Sequence, residues 1–422
     1  MMTSADVLAE NGLMPRSLAA KLRDWMTRVP LYRAMSSFIS RDNDLDLSWK
    51  EFRRLPVITK NDIRSNFPHN FLSNTLSLKH LIENDSIELE RTSGTSEEPV
   101  PLLLGKGWWN KQERSALGLN PVVRAFLHEI PESPRVTLTS PSCNHDITYR
   151  GIPCRSERVI GQALFVNLTR HPFLWPESAL ARMVEETSEW QPHFLDVDPV
   201  YGICFARYCE RVGARFPSLR FIISSYEYCS LCHRRLMQRI FGVPVYDLYG
   251  STETGHVFME NDREEHLLSQ ETALVELSEV DAQGIGQLLV TTLDNEFMPL
   301  IRYQIGDLAR MVRSGDGTFW ELHGRTMDAI RLASGRRLTV RQLDQAVARH
   351  GSLMHYQLRQ LGPDHYRLLM IPDAQGNSDP VPQALREDLI RVLEEPAVLD
   401  FVSTDYIPGE SSGKFRLARP LP

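Results

Sequence analysis

The order of apolar and polar positions predicts a chain in which strands and helices alternate. Short apolar runs typical of buried strands occur at residues 135–139, 163–166, 221–224 and 243–246. Apolar residues recur at helical spacing at residues 177–190, 201–212 and 231–241. Strands separated by helices indicate an α/β fold with a parallel or mixed sheet.

The rest of the chain shows other patterns. Residues 1–50 carry apolar positions at mixed, mostly helical spacings and are predicted to be helical. Strand-like runs at residues 274–277 and 286–292 flank the turn-forming Asp281 and Gly284, which predicts a hairpin in a β-rich subdomain. Beyond Gly324 the predicted order is a helix, two strands, a polar loop and a helix, at residues 341–350, 356–361, 365–371, 372–382 and 383–393.

These patterns predict two domains joined near residues 324–328. We expect a large N-terminal domain of α/β subdomains with a β-rich subdomain at residues 1–323, and a small α+β domain at residues 329–422. That the connection at 324–328 is a hinge and the small domain mobile is implied only by the family resemblance described below.

Composition excludes several classes of function. The 422 residues are 42% hydrophobic and 24% charged, which is ordinary for a globular protein. The net charge of −7 gives no basic field to recommend nucleic acid or an acidic membrane as a partner. No stretch approaches the ~20 apolar residues of a membrane helix, and no secretory signal is visible. We therefore expect a cytoplasmic enzyme.

One cysteine motif calls for an interpretation. Cys229-Ser-Leu-Cys232-His233 matches the attachment pattern of c-type haem. No second Cys-x-x-Cys is present to complete a zinc site, and no export signal supports haem attachment. The spacing through Arg234 and Gln238 predicts instead that these residues begin a helix.

The segment with the most chemistry runs from Tyr246 to Thr254, Tyr-Asp-Leu-Tyr-Gly-Ser-Thr-Glu-Thr. A strand leads into an aromatic–Gly turn, where an aromatic face can stack on a base and a glycine admits close approach. The hydroxyl of Thr252 and the carboxylate of Glu253 suit a phosphate and its Mg²⁺. Taken alone, the segment is equally compatible with an ordinary strand–turn–helix junction.

Four further segments accompany it. The Ser/Thr/Gly loop at 91–99 can wrap phosphate oxygens with hydroxyls and N–H groups, although it lacks the Gly-Lys-Ser/Thr of a Walker loop. The others are Thr291-Thr-Leu followed by Met298-Pro-Leu-Ile-Arg-Tyr-Gln-Ile-Gly-Asp307, then Gly324-Arg-Thr-Met-Asp328, and Pro408-Gly-Glu-Ser-Ser-Gly-Lys414-Phe-Arg.

In this order the five segments resemble the adenylate-forming superfamily of acyl-CoA synthetases, peptide-synthetase adenylation domains and luciferases. The Leu-Pro-Val-Ile-Thr-Lys-Asn-Asp-Ile-Arg run at 55–64 and the compact length make the chain most similar to the phenylacetate–CoA ligase branch. The resemblance covers residues 55–416. It implies ATP-dependent, Mg²⁺-assisted conversion of a carboxylic acid into an acyl-adenylate, followed by transfer of the acyl group to a thiol.

The resemblance also implies the site residues. Lys414 would bridge the carboxylate and the α-phosphate, Thr252 would touch the α-phosphate, and Glu253 would hold Mg²⁺. Tyr249 would lie against adenine, Asp307 would accept from both ribose hydroxyls, and Arg325 would contact ribose or phosphate. The implied ATP and AMP contacts are Thr92, Ser93, Gly94, Thr95, Ser96, Ser225, Glu227, Tyr249, Gly250, Ser251, Asp307 and Arg325.

Two segments depart from the family pattern. The phosphate loop has Ser96-Glu97-Glu98-Pro99-Val100 where the family has Thr-Gly-x-Pro-Lys/Thr, which predicts weaker ATP binding or slower pyrophosphate handling. The hinge position, normally acidic, is Met327, with Asp328 next. A hinge need not be acidic, so alternation of the small domain is still expected.

The substrates are the least specified part. The acid pocket would use His145, Tyr149 and Tyr226, and the bulk of Tyr226 favours a small or planar acid, with an aromatic acid as the first candidate. The acceptor could be coenzyme A, the phosphopantetheine of an acyl carrier protein, or an amine or protein side chain. A non-catalytic nucleotide-binding relic is the remaining alternative, and a homodimer is one open assembly state.

Overall fold

A computed structural model describes residues 12–35, 47–72, 77–92, 99–141, 147, 153–315, 317–350, 353–373, 383–394 and 397–421. The chain divides into two compact units. The first comprises Met1–Leu119, Gly250–Phe258 and Leu267–Glu321. The second comprises Asn120–Tyr249, Met259–His266 and Leu322–Pro422. No helix within the described ranges is long and apolar enough to cross a membrane.

Helices and strands follow one another along the chain. The helices are α1 (Arg16–Arg28), α2 (Pro30–Arg33), α3 (Trp49–Phe52), α4 (Lys60–Arg64), α5 (Leu78–Glu83), α6 (Trp108–Leu117), α7 (Pro121–Glu129), α8 (Glu177–Trp190), α9 (Pro199–Val212), α10 (Leu231–Phe241), α11 (Val340–Val347) and α12 (Gln383–Leu393). Short 3₁₀ turns lie at Arg155–Arg158, Pro172–Leu174 and Thr326–Asp328.

The strands are β1 (Ile87–Arg91), β2 (Pro101–Gly105), β3 (Arg135–Leu138), β4 (Val159–Ile160), β5 (Ala163–Phe165), β6 (Phe194–Val197), β7 (Phe221–Ser224), β8 (Val245–Ser251), β9 (Gly255–Glu260), β10 (His266–Leu268), β11 (Ala273–Ser278), β12 (Ile285–Thr292), β13 (Tyr303–Ser314), β14 (Gly317–Arg325), β15 (Ile330–Arg331), β16 (Arg337–Leu338), β17 (Leu353–Gln360), β18 (His365–Pro372), β19 (Val398–Ser403) and β20 (Ala418–Arg419).

A mainly parallel sheet forms the core of the second unit. Its strand order is β4-β5-β3-β6-β7-β8, and β5, β3, β6, β7 and β8 run parallel. Every residue of β6 and β7 is buried, as expected for strands covered on both faces. The predicted α/β fold is confirmed. Because β6 and β7 are parallel neighbours, their carboxyl ends lie side by side, which is where ligands bind in open α/β sheets.

The helices of this sheet begin at residues that cap them. Asp198 accepts from the N–H of Val200 at the start of α9, where Pro199 occupies the first turn, and Ser230 caps α10 through Cys232. The start of α10 confirms the helical interpretation of the Cys-x-x-Cys-His motif. Cys229 and Cys232 are free thiols, and the Nε2 of His233 lies 2.9 Å from the Nδ1 of His355.

The C-terminal part of the second unit contains a separate four-stranded sheet. Its order is β19-β18-β17-β20, with β17 and β18 antiparallel. Leu343 of α11 and Leu389 of α12 share one buried apolar core with Tyr356 of β17. The α+β character predicted for this region is therefore present. The predicted boundaries at residues 323 and 329 stay predictions, and contacts group this region with residues 120–249 in the second unit.

The first unit contains the predicted β-rich region. β11 and β12 form an antiparallel hairpin in which Ala273 faces Thr292, as the sequence predicts, and the strand order continues to β13 and β14. The N-terminal region is helical over α1, α2 and α3, but Leu13 and Ser48 form an isolated β-bridge. Residues 1–11 and 36–46 lie outside the described ranges.

One predicted element is wrong in its bounds. The strand expected at residues 243–246 runs from Val245 to Ser251, and β9 follows it after a short turn, so the segment is a strand–turn–strand. Gly250 explains the extension, because a Cβ there would lie 2.3 Å from the carbonyl oxygen of Gly255. Only a glycine permits this close approach of the two strands.

Candidate functional site

The carboxyl ends of β6 and β7 carry the first group of polar side chains. Ser225 donates a hydrogen bond of 2.9 Å to Oδ1 of Asp196, and the phenol of Tyr226 donates one of 3.0 Å to Oδ2. Tyr226 has a φ of 74°, a left-handed conformation that is unfavourable for an aromatic residue. The carboxylate of Asp196 on β6 therefore fixes, by hydrogen bonds, two consecutive residues of the strained turn after β7.

A C-terminal segment that we call the lysine loop (residues 408–416) meets this turn. The Nζ of Lys414 donates a hydrogen bond of 3.1 Å to the carbonyl oxygen of Tyr226, 188 residues away in the sequence. The next N–H, of Phe415, donates to Oε1 of Glu227 at 2.5 Å. Two predicted site residues, Tyr226 and Glu227, are thus brought against the predicted catalytic lysine.

Two carboxyl groups share the electrostatic surroundings of Lys414. Burial raises the pKa of Asp198 to about 7, although the charge of Lys414 and the N–H groups of Val200 and Tyr201 oppose the rise. Burial and the charge of Asp198 raise the pKa of Glu227 well above its ordinary range, against the attraction of Lys414. The ammonium therefore stabilises the charged forms of both carboxyls.

These shifts predict a pH dependence of stability. The folded protein keeps the proton of Asp198 up to about pH 7, whereas an unfolded chain releases it near its ordinary pKa of 3.8. The free energy of unfolding should therefore fall as pH rises from about 4 to 7, by at most about 1.4 kcal/mol per pH unit from this group. Asp198→Asn should flatten that dependence, and asparagine still caps α9. Urea unfolding at several pH values measures both slopes.

A matched control is available on the surface. Asp24 has a side chain that is 60% exposed, so Asp24→Asn should keep the wild-type slope. The pKa of Glu227 is also raised in the folded protein, so part of the pH dependence of the free energy of unfolding should remain in Asp198→Asn. Equal slopes for wild type and Asp198→Asn would show that the buried carboxyl does not titrate in this way.

The first unit contains a second group of predicted site residues. Glu253, in the turn after β8, is buried and accepts a 3.0 Å hydrogen bond from the hydroxyl of Tyr303 at the start of β13. Burial and the charges of Glu253 and Asp307 all raise the pKa of Tyr303. Glu253 and Asp307 therefore act electrostatically on the same phenol. Ser251 ends β8 just before this turn, with its Oγ 3.1 Å from the Oγ1 of Thr254.

The remaining predicted residues have varied placements. Thr92 lies at the start of the predicted phosphate loop, and its Oγ1 accepts a 2.9 Å hydrogen bond from the N–H of Val100. Tyr249 lies half-buried on β8, and the charge of Arg325, like that of Lys414, opposes the rise in the pKa of Glu227. Ser93, Gly94, Thr95, Ser96, His145 and Tyr149 lie outside the described residues.

The hinge residues and the lysine loop are linked within the second unit. The predicted hinge forms the 3₁₀ turn Thr326–Asp328. Arg416 pairs with Asp328 at 2.6 Å and donates a 2.9 Å hydrogen bond to the carbonyl oxygen of Met327. The lysine loop is therefore joined to the predicted hinge by an ion pair and a hydrogen bond of Arg416.

Sequence reasoning missed several residues of the site. Asp196 and Asp198 stand at the end of a buried strand, and Asp-Pro before a helical run is a signal for a helix N-cap. That signal could have drawn attention to Asp198. Ser140 and Tyr201, which contact the lysine loop, carry no comparable signal in the sequence.

Solved structures share this fold. A 2-hydroxyisobutyryl-CoA ligase in the postadenylation state, in complex with 2-HIB-AMP, is 17% identical with a TM-score of 0.68, and the match covers 100% of this chain and 90% of that one. The protein has the fold of the adenylate-forming ligases. No protein-family model and no curated protein matches the chain.

Two other enzymes of this fold are also similar. The anthranilate CoA ligase AuaEII, in complex with anthranoyl-AMP, is 15% identical with a TM-score of 0.50, and the match covers 84% of this chain and 74% of that one. The amide bond synthetase McbA from Marinactinospora thermotolerans is 12% identical with a TM-score of 0.54, and the match covers 78% and 68%. The likeness to the phenylacetate–CoA ligase branch stays a prediction.

Proposed function

We propose that the protein uses ATP and Mg²⁺ to convert a small carboxylic acid into an acyl-adenylate and then passes the acyl group to a thiol. This proposal rests on the position of Lys414, whose Nζ donates to the carbonyl oxygen of Tyr226 in the strained turn after β7. A surface-interaction protein has no need of a lysine held in this place by contacts from distant parts of the sequence.

Lys414 supplies the charge that the first step requires. When a carboxylate attacks the α-phosphate of ATP, two anionic groups are brought together and negative charge develops on the α-phosphate oxygens and the leaving pyrophosphate, which a fixed cation stabilises. An ammonium has three N–H donors, so it can contact the Tyr226 carbonyl and also oxygens of a substrate.

The first unit supplies residues suited to the nucleotide and its metal. Mg²⁺ in nucleotide enzymes is commonly held by one or two carboxylates together with substrate phosphates. Within the described part of the chain, no group of three or more His, Cys, Asp or Glu side chains could hold a metal alone. The buried carboxylate of Glu253 fits an ion of that kind, and Asp307 fits a ribose because a carboxylate only accepts hydrogen bonds.

The same turn supports a proposal for the acid, and the similar enzymes support proposals for the acceptor. The phenol of Tyr226, fixed by Asp196, favours a small or planar acid, and an aromatic acid is our first candidate. One ligase of this fold was solved with anthranoyl-AMP, which supports that choice. The thiol would belong to coenzyme A or to the phosphopantetheine of a carrier protein. The similar amide bond synthetase supports an amine acceptor as the second candidate.

The direct test is exchange of labelled pyrophosphate into ATP with a library of aryl and short-chain acids. We expect exchange that depends on both the acid and Mg²⁺, because adenylation is reversible while the acyl-adenylate stays bound. Adding coenzyme A to the best acid should then release AMP and give a thioester. Absence of exchange with every acid in the library would refute the proposed function.

A further inference from the structure

Two buried hydroxyls hold the lysine loop by its backbone. The Oγ of Ser140 donates a 2.5 Å hydrogen bond to the carbonyl oxygen of Ser412. The hydroxyl of Tyr201 reaches the carbonyl oxygen of Gly413 at 3.2 Å, as the longer branch of a hydrogen bond whose single hydrogen is shared between two acceptors. Both donors are fully buried, and both act on the two residues that immediately precede Lys414.

The fit around Gly413 is close. Gly413 has a φ of 85°, and a Cβ at this position would lie 2.4 Å from the Oγ of Ser140 and 2.8 Å from the hydroxyl of Tyr201. These distances are too short for any side chain. The hydroxyls therefore occupy the space that a side chain would need, and the glycine allows the loop to pack directly on them.

Tyr201 is itself firmly placed. It lies in the first turn of α9, just after the N-cap Asp198, and the shorter branch of its shared hydrogen bond runs 2.9 Å to the carbonyl oxygen of Arg170. Its ring packs edge-on against Trp175 at 5.7 Å and Phe415 at 6.3 Å. Helix α9 thus places the hydroxyl of Tyr201 beside the backbone that precedes Lys414.

We propose that Ser140 and Tyr201 are positioning residues for Lys414, which fix the lysine loop so that the ammonium stays at the turn after β7. This inference rests on the proposed function for its effect on catalysis. Its structural part, that the two hydroxyls order residues 408–416, is independent of any substrate. Both residues act through Lys414, and neither is assigned contact with the reacting groups.

Tyr201→Phe and Ser140→Ala remove one hydroxyl each and keep most of the packing. Because each variant loses one buried hydrogen-bond donor, it should lower the rate of pyrophosphate exchange about 3- to 10-fold, and the double variant should lower it more. The KM for ATP should change less than kcat. Transfer of the acyl group from supplied acyl-adenylate to coenzyme A should stay within about twofold, because the predicted hinge motion withdraws the loop for that step.

Hydrogen exchange supplies the readout that needs no activity. Deuterium uptake in peptides covering residues 408–416 should rise in both variants, because the N–H groups of Gly413 and Phe415 lose the packing that protects their hydrogen bonds. The matched control is Tyr208→Phe, a buried tyrosine on the same helix whose ring lies 4.9 Å from the guanidinium of Arg211. It should leave exchange in the loop and adenylation unchanged.

The outcomes separate the two proposals. Faster exchange in the loop, with slower adenylation in the two variants only, supports the positioning role. Unchanged exchange in the double variant, or an equal effect of Tyr208→Phe, overturns it. If wild-type protein adenylates no acid, the proposed function fails, and hydrogen exchange alone still decides whether Ser140 and Tyr201 order the loop.

Discussion

Lys414→Ala should lower the rate of acid-dependent pyrophosphate exchange by about 10²- to 10³-fold. The variant removes the cation that is held at the turn after β7, where it donates to the carbonyl oxygen of Tyr226. A fixed charge at a developing negative charge is typically worth several kcal/mol in the transition state. Binding of ATP, measured by calorimetry, should change little, because the predicted adenine and ribose contacts do not include this lysine.

Two comparisons make this prediction specific. Lys79→Ala removes a lysine whose side chain is 82% exposed, and it should leave the exchange rate at the wild-type value. Removing Lys414 should also raise the pKa values of Asp198 and Glu227 further, because its charge lowers both. Near-native exchange by Lys414→Ala would show that another group supplies the cation.

Local patterns in the sequence predicted most of the fold. Strands β3, β5 and β7 and helices α8 and α10 lie within a residue or two of their predicted bounds, because strand and helix periods are readable wherever one face is buried. The extension of β8 through Gly250 was not predicted. It depends on the contact between Gly250 and Gly255, which no periodicity records.

The site was predictable only in part, for a physical reason. Motifs singled out Lys414, Glu253 and Asp307, because chemistry restricts which residue types can serve in such a site, and their roles stay predictions. Ser140 and Tyr201 are ordinary residues whose roles arise from proximity to a segment 272 and 212 residues further along the chain. A single sequence does not indicate which distant residues lie next to each other in the folded chain.

Glu227 is a residue that a motif singled out without indicating its partner in the structure. The resemblance assigned it to the nucleotide, and that role stays a prediction. In the structure its carboxylate accepts from the N–H of Phe415, beside Lys414, and burial raises its pKa. A motif can thus place a residue in the right region without showing every partner it has there.

Glu253→Gln should produce the second large effect, a fall in adenylation of about 10²-fold or more, with a higher Mg²⁺ concentration needed for half-maximal rate. The amide keeps the size of the side chain and can still accept the hydrogen bond from Tyr303, so the fold should be retained. What it loses is the negative charge that a hard cation requires. Pyrophosphate exchange measured across a Mg²⁺ titration records both quantities.

Tyr303→Phe separates the charge of Glu253 from its orientation. This variant keeps the carboxylate and removes the 3.0 Å hydrogen bond that holds it, so its Mg²⁺ requirement should rise much less than in Glu253→Gln. If Glu253→Gln instead titrates with Mg²⁺ like the wild type, Glu253 is not a metal ligand. Its burial against Tyr303 would then be structural, and the metal would have to be held by the phosphates and another group.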